Sequence, residues 1–247
     1  MKGIVEKTAN ISSLKLSDEE LAKINKHTLS VVTADDVFVF KAMIADNEQD
    51  DRNYMPFTTK ALQDLKSLYV GKTFVFDHKG SAEKQIARVY DTEIVTSEDK
   101  TDEDKTELGE NHAELIAKIY MIKTASNADL IKDIAGGIHK EISTSTVPSK
   151  LICNICGVDN TKEFCNHWNG RKYLVDSKEK ICKLIIDGCK EAYELSFVVV
   201  PAQPRAGTVK TFEKMFEKPK NEVEESTNNL FLKAKVNENY IFTEVSE

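Results

Sequence analysis

Two stretches of the sequence decide the fold, residues 138–147 (IHKEISTSTV) and residues 192–200 (AYELSFVVV). Both are typical of β-strands, because β-branched and aromatic residues are frequent in them and apolar side chains recur at every second position. The alternation predicts two strands that each present an acid and a serine opposite an apolar row. The polar face carries His139, Glu141, Ser143 and Ser145 in the first stretch, opposite Ile138 and Ile142; it carries Glu194 and Ser196 in the second, opposite Tyr193, Leu195, Phe197 and Val199.

More strands precede these two stretches. Strand-like patterns occupy residues 28–45, 72–76, 85–95 and 113–123. Within the first of them, Asp35 and Asp36 predict a turn between two strands. Residues 97–110 hold seven acids and two lysines, which predicts a solvated hairpin loop between the last two strands.

Helices are few. Ser17 with Glu20 three residues later predicts the start of a first helix. Thr58 and Thr59 predict the start of a second, which carries Leu62, Leu65 and Leu68 and ends at Gly71. Ser126 predicts the start of a third, which ends at Gly136 and Gly137. The chain shows neither a βαβ alternation nor a glycine-rich phosphate loop. We therefore predict an α+β, mainly β protein: a closed or partly closed β-barrel flanked by a few helices, with a small cysteine-rich insertion.

The composition predicts one domain with appendages. The chain has 247 residues, 40% of them hydrophobic, and 34 basic against 41 acidic side chains give a net charge of −7. That balance argues against nucleic-acid binding, and no apolar run reaches the roughly 20 residues of a membrane helix. No signal peptide is evident either, so we expect a soluble intracellular protein. We assign residues 1–29 to an N-terminal arm and helix, 30–210 to the barrel domain and 211–247 to a helical, charged tail.

All five cysteines lie within residues 151–189, the cysteine-rich insertion. Cys153 and Cys156 have the spacing of a zinc knuckle, and Cys165 and His167 complete a Cys₃His set, which suits a closed tetrahedral structural zinc site. Cys182 or Cys189 could replace His167 as the fourth ligand, and reduced thiols without metal are the other interpretation. A metalloprotease is disfavoured, because a closed site leaves no open position and the HExxH motif is absent.

Three chemical types needed for serine catalysis stand on three β segments. His78 follows an apolar strand, Ser143 lies in the first deciding stretch and Glu194 in the second. A serine becomes a nucleophile when a base removes its proton and a third group orients that base. The same residues also have a structural interpretation without catalysis: Ser143 and Glu194 would lie on a solvent-exposed face of the barrel, and His78 would be a surface residue at the end of a strand. The loop PAQPRAG, with Arg205, offers donors for an oxyanion, although it also suits a rigid strand terminator.

The order and wording of three segments resemble the tailed-phage prohead maturation proteases, whose fold is shared with the herpesvirus assemblins. The segments are GKTFVFDHKGSAEKQIARVYD, KEISTSTV and EAYELSFVVVPAQPRAGTVK, and the match spans about residues 30–210. The resemblance implies a β-barrel serine endopeptidase with Ser143 as nucleophile, His78 as general base and Glu194 at the third position. CNICG…CNHWNG…Y also resembles an insertion found in a subset of these proteases.

The resemblance further implies substrates, assembly and location. The substrates would be scaffold and capsid polypeptides and the enzyme itself, inside the assembling prohead in the bacterial host cytoplasm, and the protein would be a homodimer without nucleic-acid or membrane partners. Two positions depart from the family pattern. The family's Ser-Ile-Gly is Ser143-Thr144-Ser145 here, which creates a rival hydroxyl on the same face, and its Ile-Gly-Arg-Val is Ile86-Ala87-Arg88-Val89. Two other interpretations remain: a non-catalytic scaffolding protein that keeps the barrel, and a zinc-dependent binding module in which His78 and Ser143 lie far apart.

Overall fold

The computed structural model describes residues 16–48, 50–96 and 105–209. The whole predicted tail, residues 211–247, lies outside these ranges, as do residues 1–15 of the predicted N-terminal arm and residues 97–104 of the acidic loop. In the described part, the helices are α1 (Asp18–Asn25), α2 (Thr59–Leu68) and α3 (Ala128–Ala135). The strands are β1 (Val37–Asp46), β2 (Thr73–Phe76), β3 (Ala87–Thr96), β4 (Ala113–Ile122), β5 (Ile142–Pro148), β6 (Leu151–Cys153), β7 (Lys172–Val175), β8 (Lys178–Ile181), β9 (Leu184–Ile186), β10 (Cys189–Phe197) and β11 (Gly207–Thr208). The protein is α+β and mainly β.

One seven-stranded sheet, in the order β11-β1-β4-β3-β2-β10-β5, carries the fold. Its pairs are antiparallel except that β2 and β10 run parallel. The sheet curls into a half-barrel. Near its two edges, Glu141 bridges to Gly207, and the Ile142 N–H donates to the carbonyl of Ala206 at 3.2 Å.

Helices cover both faces of the sheet. The largest apolar cluster joins α2, through Leu62, Leu65 and Tyr69, to Phe74 of β2 and Leu195 of β10, all fully buried. On the opposite face, Ile24 of α1 packs with Val37, Tyr90 and Tyr120. The predicted caps of α1 and α2 are confirmed, since the Ser17 hydroxyl accepts from the Glu20 N–H and the Thr58 hydroxyl from the Ala61 N–H. The third helix begins one residue later than predicted, with Asn127 as its N-cap.

Three local predictions are wrong. The strand predicted to begin at Ile138 begins at Ile142, and Ile138 is exposed instead of lying on its apolar row. Residues 28–33 form no strand; both backbone polar groups of Val32 bond to the Asn25 side chain, so they are not offered to a sheet. The third error concerns the apolar row of β10. A register shift between Ala192 and Glu194 turns Tyr193 outward, where it is 57% exposed, and Ala192 takes the buried place. Val199 lies beyond the end of the strand and is also exposed.

The cysteine-rich insertion is a separate pair of two-stranded sheets between β5 and β10. Strand β6 pairs with β9, and β7 pairs with β8 in a hairpin. Within the described ranges, no helix is long and apolar enough to cross a membrane.

Candidate functional site

A strained turn presents the candidate base. Phe76 ends β2, and the Lys79 N–H donates back to its carbonyl at 3.0 Å. The two residues between them, Asp77 and His78, have φ of 50° and 54°, a left-handed conformation that costs a non-glycine residue of order 1–3 kcal/mol. The surroundings hold this turn in place: the Asp77 N–H donates to the carbonyl of Phe197 at 3.0 Å, and the His78 N–H donates to Oγ of the fully buried Ser196 at 2.9 Å.

Glu194 lies directly beside the His78 ring. Its Oε1 is 2.7 Å from Nδ1 of His78, and the Glu194 side chain is only 12% exposed. A carboxylate at this distance accepts a hydrogen bond from the Nδ1–H group, which fixes the tautomer and leaves Nε2 as the basic nitrogen. Among the described residues, Nε2 of His78 has no hydrogen-bond partner. The pair therefore has the arrangement of an oriented general base.

Two serines of β5 lie at different positions along the strand beside the His78–Glu194 pair. Ser145 is directly opposite Glu194 in the sheet, and its Oγ is 3.3 Å from Nδ1 of His78. Ser143 is opposite Ser196, the residue that holds the His78 backbone. Ser145 thus contacts the nitrogen that Glu194 already occupies, and Ser143 lies one pleat further along the same face.

His78, Glu194 and Ser145 are in contact, whereas no hydrogen bond within the described ranges joins Ser143 to His78. Ser143 is placed near the pair by its position opposite Ser196, which bonds to His78, and this placement argues against the interpretation in which His78 and Ser143 lie far apart. Three further side chains have the chemistry to orient a histidine, Asp77, Asp91 and His139, and each has a partner elsewhere. Asp77 pairs with Lys79, Asp91 pairs with Lys23 and Lys118, and His139 packs against Phe76 and Phe197.

Two buried oxygens near the pair lack partners. Oε2 of Glu194 and Oγ1 of Thr73 are each inaccessible to solvent and without a hydrogen bond in the described part of the chain. The two residues are neighbours in the parallel β2–β10 register. Sequence reasoning did not single out Thr73 or the support that Ser196 gives to His78, because both depend on the pairing of β2 with β10.

A cleft of about 410 Å³ runs along β5 beside the serines. Residues 142–146 line the cleft, and so do Asp51, Asn53, Met55 and Phe57 of the loop before α2. The remaining lining residues are Ile44, Ile186, Tyr193, Ala202, Gln203 and Ala206. Because the open edge of a strand exposes backbone donors and acceptors, the cleft suits an extended polypeptide.

Arg205 serves the loop rather than the cleft. Its guanidinium donates to both carboxylates of Asp46 and Asp50, at 2.8 to 3.2 Å. The hydrogen bond to Asp50 is the main cause that raises the pKa of Arg205. Gln203 adds hydrogen bonds to the backbone of Asp46. Of the two interpretations of PAQPRAG, these contacts support the rigid strand terminator.

The predicted metal ligands lie together. Sγ of Cys153, Cys156 and Cys165 and a ring nitrogen of His167 all fall within 4.8 Å of one another. In a tetrahedral zinc site, sulfurs at 2.3 Å from the metal are about 3.8 Å apart. The knuckle is shaped by Gly157, whose φ is +76° and whose N–H donates to the carbonyl of Cys153 at 2.8 Å.

The donor set fits a metal. Nδ1 of His167 is buried and has no hydrogen-bond partner within the described ranges, while the ring packs edge-on against Tyr173 at 4.7 Å. Burial raises the pKa of the Cys165 thiol, but hydrogen bonds from the His167 backbone and from Asn160 outweigh it and lower the pKa to about 6. A thiolate and an unpartnered imidazole nitrogen are the ligand forms that zinc takes.

The two alternative fourth ligands differ in position. Sγ of Cys182 lies 3.9 Å from Sγ of Cys153, next to the cluster. Cys189 belongs to β10, where its N–H donates to Asp64 at 2.9 Å. All five cysteines are free thiols. Cys182 therefore stays a possible neighbour of the metal, and Cys189 lies on another element.

In comparisons with known proteins, no protein-family model, no curated protein and no solved structure matches the chain.

Proposed function

We propose that the protein is a serine endopeptidase of the prohead-protease type, which its three motifs resemble. The observation that carries the proposal is the 2.7 Å contact between Nδ1 of His78 and Oε1 of Glu194, beside a strand with two serines and a cleft that suits a polypeptide. In this proposal, the half-barrel corresponds to the β-barrel of that family. The substrates would be scaffold and capsid polypeptides in the assembling prohead. A homodimer is part of the same proposal.

In the proposed mechanism, His78 removes the proton of the nucleophilic serine and returns it to the leaving amine. Glu194 keeps Nδ1 protonated and stabilises the imidazolium that forms. Since Nδ1 is bonded to Glu194, the proton of the serine hydroxyl must be transferred to Nε2. We assign the nucleophile to Ser143, because Ser145 contacts Nδ1 and not the basic nitrogen.

Zinc in the insertion would be structural. Cys153, Cys156, Cys165 and His167 would hold it, and a closed set of four protein ligands leaves no position for a reacting water. When bound, it would cross-link the insertion, and the chemistry of cleavage would stay with the side chains of the half-barrel.

One observation favours the alternative, a non-catalytic scaffolding protein. The serine hydroxyl that hydrogen-bonds to the His78 ring meets the nitrogen already bonded to Glu194. A protein that retained the half-barrel for assembly alone would be under no requirement to place a hydroxyl at Nε2.

Self-cleavage and labelling separate the two functions. We would incubate the purified protein, follow its intact mass and that of added casein, and treat a second sample with a fluorophosphonate, which labels activated serines. The double variant Ser143→Ala/Ser145→Ala is the matched control. Cleavage or labelling in the wild type that the control lacks supports the protease. An intact chain, intact casein and no labelling would contradict it and favour the scaffolding protein.

A further inference from the structure

The loop segment 53–57 has two chemically distinct sides. The side chains of Asn53, Met55 and Phe57 line the cleft along β5. Between them, the ring of Tyr54 packs on the insertion: a Cβ on Gly170 would lie only 2.7 Å from Cε2 of Tyr54. Segment 53–57 is therefore a wall with one side on the cleft and the other on the cysteine-rich insertion.

Backbone hydrogen bonds fix this wall to the insertion. The Leu184 N–H donates to the carbonyl of Tyr54, and the Ile186 N–H to that of Pro56, both at 2.9 Å. The Thr58 N–H donates to the carbonyl of Ile186 at 3.1 Å. In addition, Nδ2 of Asn169 donates to the carbonyl of Asn53 at 2.9 Å. The wall is thus paired to the insertion along its whole length.

The path from the wall to the metal cluster is short. Asn169 and Gly170 follow the ligand His167 by two and three residues. The Gly170 N–H donates to the carbonyl of Cys182 at 2.8 Å, and Sγ of Cys182 is 3.9 Å from that of Cys153. Because a structural metal supplies folding free energy to the segment that binds it, a metal bound at the cluster would stabilise the surface under Tyr54 and Asn53.

The chemistry of the cleft indicates what this wall contacts. The cleft has an apolar floor next to the two serines, made of the partly buried Met55 and of core side chains that are themselves largely buried, Ile44, Phe57, Ile142 and Ile186. An apolar floor beside an open strand edge suits a polypeptide in extended form that presents an apolar side chain close to the bond to be cut.

We propose that the metal-bearing insertion is part of the substrate-binding apparatus: it holds segment 53–57 against the cleft, and metal occupancy sets the affinity for an extended polypeptide with an apolar side chain. The substrate rests on the proposed protease function, whereas the coupling of metal to wall does not. Chemistry at His78 is independent of the wall, so loss of metal acts on KM more than on kcat.

Hydrogen exchange tests the coupling without any activity. We would compare zinc-loaded protein with protein treated with a chelator, in peptides that cover 51–58, 184–186 and, as the internal control, β4. Exchange at Thr58, Leu184 and Ile186 should accelerate about tenfold or more after chelation while β4 is unchanged. Unchanged exchange at these three amides would overturn the proposal, and so would an equal acceleration in β4, which would show a global effect.

A substitution tests the substrate arm while the metal stays bound. Tyr54→Ala removes the ring from Gly170, and Tyr54→Phe, the matched control, keeps it. With labelled casein as the probe, Tyr54→Ala should raise KM about tenfold with kcat nearly unchanged and one zinc per chain retained, whereas Tyr54→Phe matches the wild type. A wild-type KM in a zinc-loaded Tyr54→Ala variant would overturn the proposal. If the wild type cleaves nothing, the protease function fails and the exchange experiment still decides the coupling.

Discussion

At the residue scale, in the proposed protease, the proton on Nδ1 of His78 would determine which serine can act. A carboxylate at 2.7 Å holds that proton, so Ser145, which meets the same nitrogen at 3.3 Å, has no base to accept its own proton. Both hydroxyls lie on one face of β5, about 7 Å apart along the strand. In the proposed mechanism, the nucleophile would therefore be decided by access to Nε2 and not by the shortest contact to the ring.

The first prediction compares the two serines. Ser143→Ala should lower turnover of a scaffold or casein substrate roughly 10³-fold or more, because the attacking atom is lost. Ser145→Ala should keep most of the activity, since it removes only a weak contact beside the His78–Glu194 bond. The measurement is the initial rate of cleavage by each purified variant. Full activity in Ser143→Ala together with loss in Ser145→Ala would refute the assignment.

The second prediction concerns Glu194. In Glu194→Gln, the amide no longer holds the proton on Nδ1 or stabilises the imidazolium, and turnover should fall about 10²- to 10⁴-fold, less than in Ser143→Ala. The fold should persist because the side chain keeps its size. Cleavage rates with circular dichroism as the folding control check this. Wild-type rates would show that Glu194 does not orient His78.

At the scale of elements, the insertion gathers a set of side chains that is compatible with a metal site. Its four clustered side chains come from the knuckle at the end of β6 and from the Cys165–His167 pair. Cys182, before β9, lies close enough to Cys153 to compete as a ligand. The orphaned ring nitrogen of His167 distinguishes the two, since a buried imidazole nitrogen without a partner is costly unless it binds a metal.

The third prediction follows from that distinction. Elemental analysis should find about one zinc per chain. His167→Ala should weaken zinc binding at least about tenfold, while Cys182→Ala, the matched control, keeps the wild-type stoichiometry. Chelator competition measures both. Metal-free protein with an ordered insertion would contradict the zinc site, and loss of zinc in Cys182→Ala alone would move the fourth ligand to Cys182.

Sequence predicts those elements whose determinants are local. Ser17 and Thr58 cap their helices through contacts three residues away, and the metal cluster follows from the spacing of four side chains. Non-local determinants were missed. The outward turn of Tyr193 depends on a register shift against β5, and the support of His78 by Ser196 depends on the parallel pairing of β2 with β10. Neither pairing can be predicted from the sequence of the strand whose side chains it reorients.

At the scale of the whole molecule, the curl of the sheet depends on the chain after β10. That chain returns to pair β11 with β1 and to bridge Glu141. Arg205 anchors the turn by its bonds to Asp46, which is 1% exposed, and to Asp50. The half-barrel is thus held at one end by a pair of carboxylates and one guanidinium, next to the cleft.

The last prediction removes this anchor. Arg205→Ala leaves the buried carboxylate of Asp46 without its cation, and the free energy of unfolding at pH 7 should fall by about 2–4 kcal/mol. The matched control is Lys172→Ala, which removes an exposed pair on the β7–β8 hairpin and should leave stability unchanged.

The effect of Arg205→Ala on stability also depends on pH. A hydrogen bond from Arg205 lowers the pKa of Asp50 below its ordinary value, so the stability it contributes is present above the unfolded pKa, near 3.9, and is lost as the pH falls through the folded pKa. Urea unfolding at pH 7 and at pH 3 should therefore show a larger difference between wild type and Arg205→Ala at pH 7. An Arg205→Ala variant as stable as the control at both pH values would show that the half-barrel holds its curl without this anchor.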